Sequence, residues 1–299
     1  MKLAHVINPV KVPVGTELHT VQPVTFKSIQ VAKAFAPQVN VDLYAVSYAE
    51  DAEIIPADFK QLPHLTRSVA DKFTGKKKLP YIADILNALY QNTDAEYLIY
   101  TNMDIALMPQ FYSVVEGLLL QGHDAVMINR RGIPAKYTKP EELPQMYSEH
   151  GKPHPGFDCF VFKRSLLPKM VLAEVCIGVP FLEVTLLHNL IAFADNLKLV
   201  DDMHLTFHIG TEVMPPIDKQ LYAYNRSQYE QQVYPAIKQR LDIRKFPYSE
   251  LSFFKRVLKW ALNPCFRTHQ VLEMEGKSFS RKMKYKLDSW RFALLEKVK

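Results

Sequence analysis

The chain has 299 residues, of which 48% are hydrophobic and 23% charged, a composition that excludes a disordered or fibrous protein and predicts a sizeable core. Its formal net charge of +6 is unevenly distributed, because residues 251–299 hold twelve Lys and Arg against four Asp and Glu. The basic character therefore belongs to the C-terminal segment, and the first 250 residues are slightly acidic.

The cysteines and the first residues indicate the compartment. Cys159, Cys176 and Cys265 are far apart and odd in number, which excludes a disulfide framework, and they lack metal-binding spacing. Residues 1–9 are too polar for a signal peptide, and no apolar run approaches the length of a membrane span. We therefore expect a cytoplasmic protein.

The first part of the chain alternates strand and helix patterns, read from β-prone apolar runs and from apolar residues at helical spacing. In chain order these are a strand over residues 2–7, a helix after Pro23 through residue 35, a strand over 41–46, a helix over 79–90, a strand over 97–100 and a helix over 108–120. This β-α-β-α order predicts a mainly parallel sheet.

The second part adds predicted strands over 124–128 and 158–162, separated by a long polar loop over 130–156. A helix over 179–193 and a short strand over 203–209 follow, and after about residue 225 the pattern is helical and basic. We expect an α/β fold, a mainly parallel twisted sheet flanked by helices, with a main domain over 1–225 and a helical, basic C-terminal region over 226–299.

Two polar residues, Asn102 and Asp104, follow the apolar run that ends at Tyr100. Ligands of open parallel sheets bind beyond the carboxyl ends of the strands, and residues two apart in extended chain face the same side. An amide and a carboxylate there suit a hard divalent cation, which would stabilise a diphosphate leaving group. The alternative is that Asn102 and Asp104 cap the turn and the helix that follow.

A second signal is the alternation over residues 203–209, which places His204, Thr206 and His208 on one face. Imidazoles are common metal ligands, and His208, two residues before Gly210, is the preferred candidate. The alternative is that both histidines only make structural hydrogen bonds.

Together these segments resemble the GT-A-type glycosyltransferases, whose fold is Rossmann-related. The segment Tyr100-Thr101-Asn102-Met103-Asp104 is similar to the Asp-x-Asp region of that family, and residues 156–162 and His208 are similar to its acceptor-side strand and C-terminal metal histidine. The resemblance covers residues 1–215 and implies a nucleotide-diphospho-sugar donor, with Mn²⁺ or Mg²⁺ held by Asp104 and His208. Asn102 departs from the family, which prefers Asp, and this leaves Asn102 as a ligand of the ribose.

The same resemblance implies further contacts to the donor, since the loops after the first strands would lie near the base, ribose and phosphates. The residues concerned are Asn8, Ser47, Glu50, Asp51, Arg67 and Lys78. The planar guanidinium of Arg67 and the compact ammonium of Lys78 both suit phosphate. The alternative for the lysine run 76–78 is a solvated surface.

Transfer with inversion at the anomeric carbon requires a carboxylate that accepts the proton of the attacking hydroxyl. Asp158, which opens a strand after Gly156, and Glu183, near the start of a helix, are the candidates. Capping and the helix dipole explain Glu183 equally well, and a retaining reaction needs neither residue as a base. Arg130 and Arg131 are either ligands of acceptor or phosphate, or loop charges.

The C-terminal region interleaves aromatic and basic residues, as in Phe253, Phe254, Lys255, Arg256 and Trp260. Such a segment suits an anionic membrane surface, and the alternative is a helical appendage with a solvated basic face. No recognition motif points to nucleic acid.

We therefore expect a glycosyltransferase of the hexosyltransferase type with a carbohydrate or lipid-linked acceptor, in surface polysaccharide or glycolipid synthesis at the cytoplasmic face of a membrane. The alternatives are a non-catalytic nucleotide-sugar or carbohydrate-binding protein and a nucleotidyltransferase.

Overall fold

The computed structural model describes residues 1–262 apart from Thr74, Lys76, Asp202 and residues 211–217. The described strands are β1 (Lys2–Ile7), β2 (Asn40–Ala45), β3 (Lys60–Gln61), β4 (Tyr97–Thr101), β5 (Ala106–Leu107), β6 (Ala125–Ile133), β7 (Lys152–Lys163), β8 (Leu197–Val200) and β9 (Thr206–Ile209). The described α-helices are α1 (Glu17–Phe35), α2 (Ile82–Asn92), α3 (Phe111–Leu120), α4 (Leu143–Ser148), α5 (Leu182–Phe193), α6 (Lys219–Gln228), α7 (Tyr234–Ile237) and α8 (Phe253–Leu262).

The described strands form one sheet in the order β3-β2-β1-β4-β7-β6-β9-β5, with β8 also paired to β6. Five pairings are parallel and three antiparallel; the antiparallel ones join β7 to β4 and β6, and β5 to β9. The predicted α/β fold with a mainly parallel sheet and flanking helices is confirmed.

The centre of the sheet is apolar because both of its faces are covered. All five residues of β4 are buried, as are five of the six in β1, which is typical of parallel strands between helices. One core cluster joins Ile99 and Val161 of the sheet to Ile29 of α1 and to Phe111 and Val115 of α3. This packing fixes where β4 ends, and so positions the polar residues that follow it.

One buried histidine interrupts the apolar pattern of β1. His5 hydrogen-bonds with the Tyr112 hydroxyl at 2.7 Å and with Thr101 Oγ1 at 2.9 Å, so both ring nitrogens have partners. Burial lowers its pKa to about 3, and the ring is neutral at physiological pH. His5 therefore ties β1 to the last residue of β4 and to α3.

Three predicted helices begin three residues late. The expected starts were residues 79, 108 and 179, whereas α2, α3 and α5 begin at Ile82, Phe111 and Leu182. Residues 80, 109 and 180 are all prolines. Because a residue before proline is disfavoured in the α conformation, residues 79, 108 and 179 are excluded from the helices. Each helix then starts two residues after its proline.

The first helix was predicted to begin after Pro23, but α1 begins at Glu17 and contains Pro23. Its N-cap is Thr16, whose side chain accepts a hydrogen bond from the His19 amide. Proline inside a helix removes one backbone hydrogen bond at a cost of about 3 kcal/mol. The buried residues on both sides, Val21 and Val24, supply the packing that offsets this cost.

The predicted loop over 130–156 is also wrong. β6 continues to Ile133, β7 begins at Lys152, and the connection between them contains α4. Gly151 supplies the turn into β7, because its φ is +62° and a Cβ there would lie 2.9 Å from the carbonyl oxygen of Gly132. Polar composition misled the prediction, since these arms of β6 and β7 are partly exposed.

The predicted strand over 203–209 shortens to β9, which starts at Thr206. His204 lies before it in the left-handed region, with φ +48°, so the alternation that grouped His204 with His208 does not extend that far. Thr206 and His208 remain two apart within the strand.

The chain divides into two compact units, Met1–Leu241 and Asp242–Lys299. The predicted boundary at 225/226 falls inside α6. In the second unit, α8 is held by Trp260, which is fully buried and donates its Nε1 hydrogen to the Pro247 carbonyl at 2.8 Å. The remainder of the predicted basic C-terminal region, residues 263–299 with Cys265, lies outside the described residues.

Candidate active site

The structure brings Asp104 and His208 together. Asp104 lies between β4 and β5, and His208 lies on β9, which pairs with β5. Asp104 Oδ2 is 3.4 Å from His208 Nε2, and Glu17 Oε1 at the start of α1 is 3.8 Å from the same nitrogen. Asp104 Oδ1 is buried and accepts no hydrogen bond from any described residue. A buried carboxylate oxygen without a partner is costly and marks a position where a ligand can bind.

The charge of Asp104 is set by its neighbours. Burial alone would raise its pKa, but the hydrogen bond and charge of His208 and the charge of Arg130 outweigh burial, so the pKa is lowered. Asp104 is therefore an anion at neutral pH, and can bind a cation or accept a hydrogen bond.

Asn102 bridges two other polar groups at the same strand end. Its Oδ1 accepts a hydrogen bond from the Tyr100 hydroxyl at 2.8 Å, and its Nδ2 lies 3.5 Å from Asp158 Oδ1. Burial, together with the charges of Asp104 and Asp158, raises the pKa of Tyr100, so the phenol stays protonated and donates. An aspartate at position 102 would place a second carboxylate beside Asp158. This contact gives a physical reason for an amide here.

An irregularity between β6 and β7 directs Arg130 toward Asp158. The register of the two strands shifts on both sides of Asn129: Ile128 pairs with Cys159 and Asn129 with Phe157, so Asp158 is the extra residue of a bulge on β7. Arg130 NH1 is 3.4 Å from Asp158 Oδ1, and both side chains are nearly buried, with exposures of 12% and 14%. His154 Nδ1 is 3.9 Å from Asp158 Oδ2, which is itself buried and accepts no hydrogen bond from a described residue.

Glu183 lies next to Asp158 but has a different environment. Its Oε1 accepts a hydrogen bond from the backbone amide of Phe157 at 2.6 Å. Glu183 thereby links the first turn of α5 to β7, directly beside Asp158. Of the two candidate bases, Asp158 has the carboxylate oxygen without a hydrogen-bond donor among the described residues.

Several residues predicted to contact the donor follow β1 and β2, whose carboxyl ends lie at the same edge as that of the parallel strand β4. Asn8 donates to the Val46 carbonyl at 2.6 Å, and Asp51 accepts from the Lys11 amide at 2.8 Å. Ser47 donates to the Tyr48 carbonyl at 3.0 Å. The bonds of Asn8 and Asp51 connect the loops after the two strands, whereas that of Ser47 lies within the loop after β2.

Glu50 and Lys78 form an ion pair, and the Lys78 ammonium lies 4.0 Å from the ring centroid of Tyr48. The loop that carries Lys78 is thereby joined to the loop after β2. Lys76, from the same lysine run, lies outside the described residues.

Arg67 is placed in a separate network of charges. It makes a bidentate contact to Asp84 at 2.6 and 3.1 Å, contacts Glu174 at 3.1 Å, and stacks 5.2 Å from the Tyr81 ring. Lys72 also pairs with Glu174. The guanidinium is therefore occupied by two carboxylates of this protein. An adjoining surface groove of about 210 Å³, lined by His64 and Asp84 among others, holds no other predicted site residue.

The fit of these residues to a divalent cation is partial. Asp104 and His208 offer one carboxylate and one imidazole, and the buried Oδ1 of Asp104 is an available oxygen. Among the described residues, no group of three or more His, Cys, Asp or Glu side chains is arranged to hold a metal ion. A cation bound here would take its other ligands from the diphosphate and water.

Two neighbours of the site were not predicted. His154 precedes Asp158 by four residues on β7, and because side chains on a strand alternate, their shared face could have been predicted once β7 was recognised to start at Lys152. Glu17 has no such signal, because its approach to His208 depends on how α1 packs on the sheet.

No protein-family model matches the chain, and no curated protein matches it. Solved structures that align with it include S. aureus TarS, a glucosyl-3-phosphoglycerate synthase and a putative glucose-1-phosphate thymidylyltransferase. Residues 1–349 of S. aureus TarS in complex with UDP align over 99% of this chain and 90% of that one, with 9% identity and a TM-score of 0.46. Glucosyl-3-phosphoglycerate synthase from Mycobacterium tuberculosis aligns over 79% and 80%, with 14% identity and a TM-score of 0.47.

A putative glucose-1-phosphate thymidylyltransferase from Bacillus anthracis aligns over 75% of this chain and 95% of that one, with 9% identity and a TM-score of 0.42. All three TM-scores are below 0.5, so these likenesses do not assign a function. The function proposed below rests on the geometry around Asp104.

Proposed function

We propose that the chain is a glycosyltransferase that moves a sugar from a nucleotide-diphosphate donor to a hydroxyl acceptor. The observation that carries the proposal is Asp104, an ionised carboxylate at the end of β4 with one buried oxygen lacking a partner and the other facing His208. Asn8, Ser47 and Asp51 follow the two neighbouring parallel strands and would bound the nucleoside.

The reaction needs a stabilised diphosphate as the leaving group. Asp104 and His208 would hold Mn²⁺ or Mg²⁺, which when bound neutralises the charge that develops on the diphosphate. Asn102, already committed to Tyr100 and Asp158, would orient those groups and not ligate the cation. Lys78 lies in the loop joined to Glu50 and is the cation we assign to the phosphates. Arg67 we assign to its ion pairs.

On the acceptor side, we assign Asp158 as the base of an inverting transfer. Its Oδ2 would accept the proton of the acceptor hydroxyl while the hydroxyl oxygen attacks the anomeric carbon and the bond to the diphosphate breaks. Arg130 and Asn102 hold Oδ1, which orients the carboxylate. Glu183 would support β7 by accepting the hydrogen bond from the Phe157 amide.

The finer assignments are also proposals. We infer a hexosyl donor and a carbohydrate or lipid-linked acceptor, in surface polysaccharide or glycolipid synthesis at the cytoplasmic face of a membrane. Among the described residues, no helix is long and apolar enough to cross a membrane. A non-catalytic nucleotide-sugar-binding protein is the second candidate, favoured by the commitment of Asn102 to hydrogen bonds with protein groups.

The test is turnover of radiolabelled UDP-, GDP- and CDP-sugars with Mn²⁺, for the natural chain and for Asp104→Asn. The isosteric amide keeps the shape of the side chain but loses the charge, so we expect turnover to fall about 100-fold or more. Asp84→Asn, in the Arg67 network, is the matched control and should turn over donor at the natural rate.

Equal rates for the natural chain and Asp104→Asn would rule out Asp104 as the centre of the reaction. Diphosphate binding without turnover of any donor would favour the non-catalytic candidate, and turnover only with a sugar phosphate and a nucleoside triphosphate would favour nucleotidyl transfer.

A further inference from the structure

An exposed apolar ridge runs along α8 in the second unit of the chain. Phe254 is 83% exposed and Leu258 is 60% exposed, and the two residues are one helical turn apart on the same face. Trp260, on the opposite face, is fully buried and hydrogen-bonded to Pro247. The helix is therefore held by one face, and the ridge is not part of what holds it.

A row of lysines borders this ridge. Lys255 and Lys259 each follow a ridge residue by one position, so they lie along the same side of the helix one turn apart, and both are exposed. α8 contains three basic residues and no acidic residue. Apolar and cationic side chains thus form two adjacent stripes on one exposed surface.

The two stripes together select the partner. A single-stranded nucleic acid would attract the lysines and could stack a base on Phe254, but it would gain nothing from Leu258, and an apolar protein groove would not favour a row of uniform charge. An anionic lipid surface accepts both, because Phe and Leu enter the acyl boundary while the lysine stems extend to the headgroups.

We propose that α8 docks on an anionic membrane surface, with Phe254 and Leu258 inserted and Lys255 and Lys259 against the lipid phosphates. This proposal does not rest on the glycosyltransferase assignment, since every residue that carries it lies in the second unit. It does supply a means by which an acceptor on a lipid would be brought near the enzyme.

The test is co-sedimentation of the full chain with vesicles of phosphatidylcholine alone or mixed with phosphatidylglycerol. We expect binding only to the mixed vesicles. Phe254→Gln with Leu258→Gln should weaken it roughly tenfold or more, and Lys255→Gln with Lys259→Gln about fivefold for each charge removed. The matched control is Phe35→Gln with Leu120→Gln, two residues 61% and 74% exposed on α1 and α3, which should bind as the natural chain does.

Three results would overturn the proposal: no binding of the natural chain to mixed vesicles, binding that ignores the loss of Phe254 and Leu258, or a clear fall in the melting temperature of that double variant. The last result would show that the ridge is covered by protein, either residues 263–299 or a second copy. Donor turnover without vesicles is measured on the same samples and should be unchanged, so failure of this proposal and failure of the proposed function are distinguishable.

Discussion

Two clusters of charged residues were candidates for binding the donor phosphates, and they differ in whether their charged groups are paired with other protein groups. Around Arg67, the acidic and basic groups pair with one another: Asp84 accepts two hydrogen bonds from the Arg67 guanidinium, and Glu174 forms ion pairs with Arg67 and Lys72. Around Asp104, two carboxylate oxygens, Asp104 Oδ1 and Asp158 Oδ2, are buried without a hydrogen bond from a described residue.

The difference indicates a division of labour. The network around Arg67 joins α2 to the loop at Glu174, and its charges are paired within the protein. Buried oxygens without a hydrogen-bond donor, in contrast, destabilise the protein unless a ligand binds them. The same residue types therefore serve stability in the Arg67 cluster, while in the Asp104 cluster they suit catalysis.

Asp158→Asn should have the largest effect on the Asp104 side. Loss of the base should lower the transfer rate by about 10² to 10⁴, with a small change in donor KM, because the amide keeps the contacts of Oδ1 but cannot accept the proton. Glu183→Gln is the control, and should mainly lower the melting temperature through its bond to Phe157. Wild-type kcat in Asp158→Asn would remove Asp158 as the base.

Asn102→Asp tests why an amide occupies that position. The new carboxylate would lie about as close to Asp158 as the present 3.5 Å contact. At neutral pH we expect a loss of about 1 to 4 kcal/mol of unfolding free energy, which shrinks on acidification because like charges raise the pKa of one carboxyl. The exposed Asn40→Asp is the control in the thermal melts. If Asn102→Asp instead kept its stability and bound Mn²⁺ more tightly, the bridging role of Asn102 would be wrong.

Glu174→Gln should have the smallest effect, and it acts on stability alone. The Glu174 carboxylate is about one-third exposed, so we expect a cost of only about 0.5 to 1 kcal/mol, and unchanged donor turnover. The hydrogen bond from Lys72 lowers the pKa of Glu174. The contribution of Glu174 to the free energy of unfolding is therefore complete above the ordinary carboxyl pKa, and it is lost as the pH falls through the lowered pKa of the folded state.

The measurement for Glu174→Gln is the difference in melting temperature between it and the natural chain, followed from neutral to acid pH. The difference should close as the pH falls. A difference that stays constant with pH would show that the ion pairs of Glu174 contribute nothing.

The fold was predictable where local patterns and tertiary packing agree. β1 was predicted with its observed bounds, because its residues are mainly apolar, as is typical of a buried parallel strand. The starts of the helices after Pro80, Pro109 and Pro180 were predicted too early. The error was avoidable, because these prolines are visible in the sequence and disfavour a helical conformation in the residue before them. The arms of β6 and β7 were missed because a partly exposed hairpin is polar in composition and so resembles a loop.

Only the part of the site that directly follows a buried strand could be predicted from the residues alone. Asp104 and Asn102 could be identified because they follow a buried strand. The pairing of Asp104 with His208 came from the family resemblance, and the distance between them depends on how β5 and β9 pair across 100 residues of chain. The extra residues of the irregularity that brings Arg130 to Asp158 lie on β7, where Gly156 is consistent with a bulge. The sequence does not show that β6 pairs there, so spacing alone could not separate a ligand from a loop charge at Arg130.

We propose that Asp104 anchors a nucleoside diphosphate through a divalent cation. Calorimetric titration of UDP, GDP and CDP, each with Mn²⁺ and with EDTA, tests it on the natural chain, Asp104→Asn and Asp84→Asn. We expect one diphosphate to bind the natural chain and Asp84→Asn only with Mn²⁺, and Asp104→Asn to bind it at least tenfold more weakly. Binding that is equally tight in all three chains, or indifferent to Mn²⁺, would contradict the proposal.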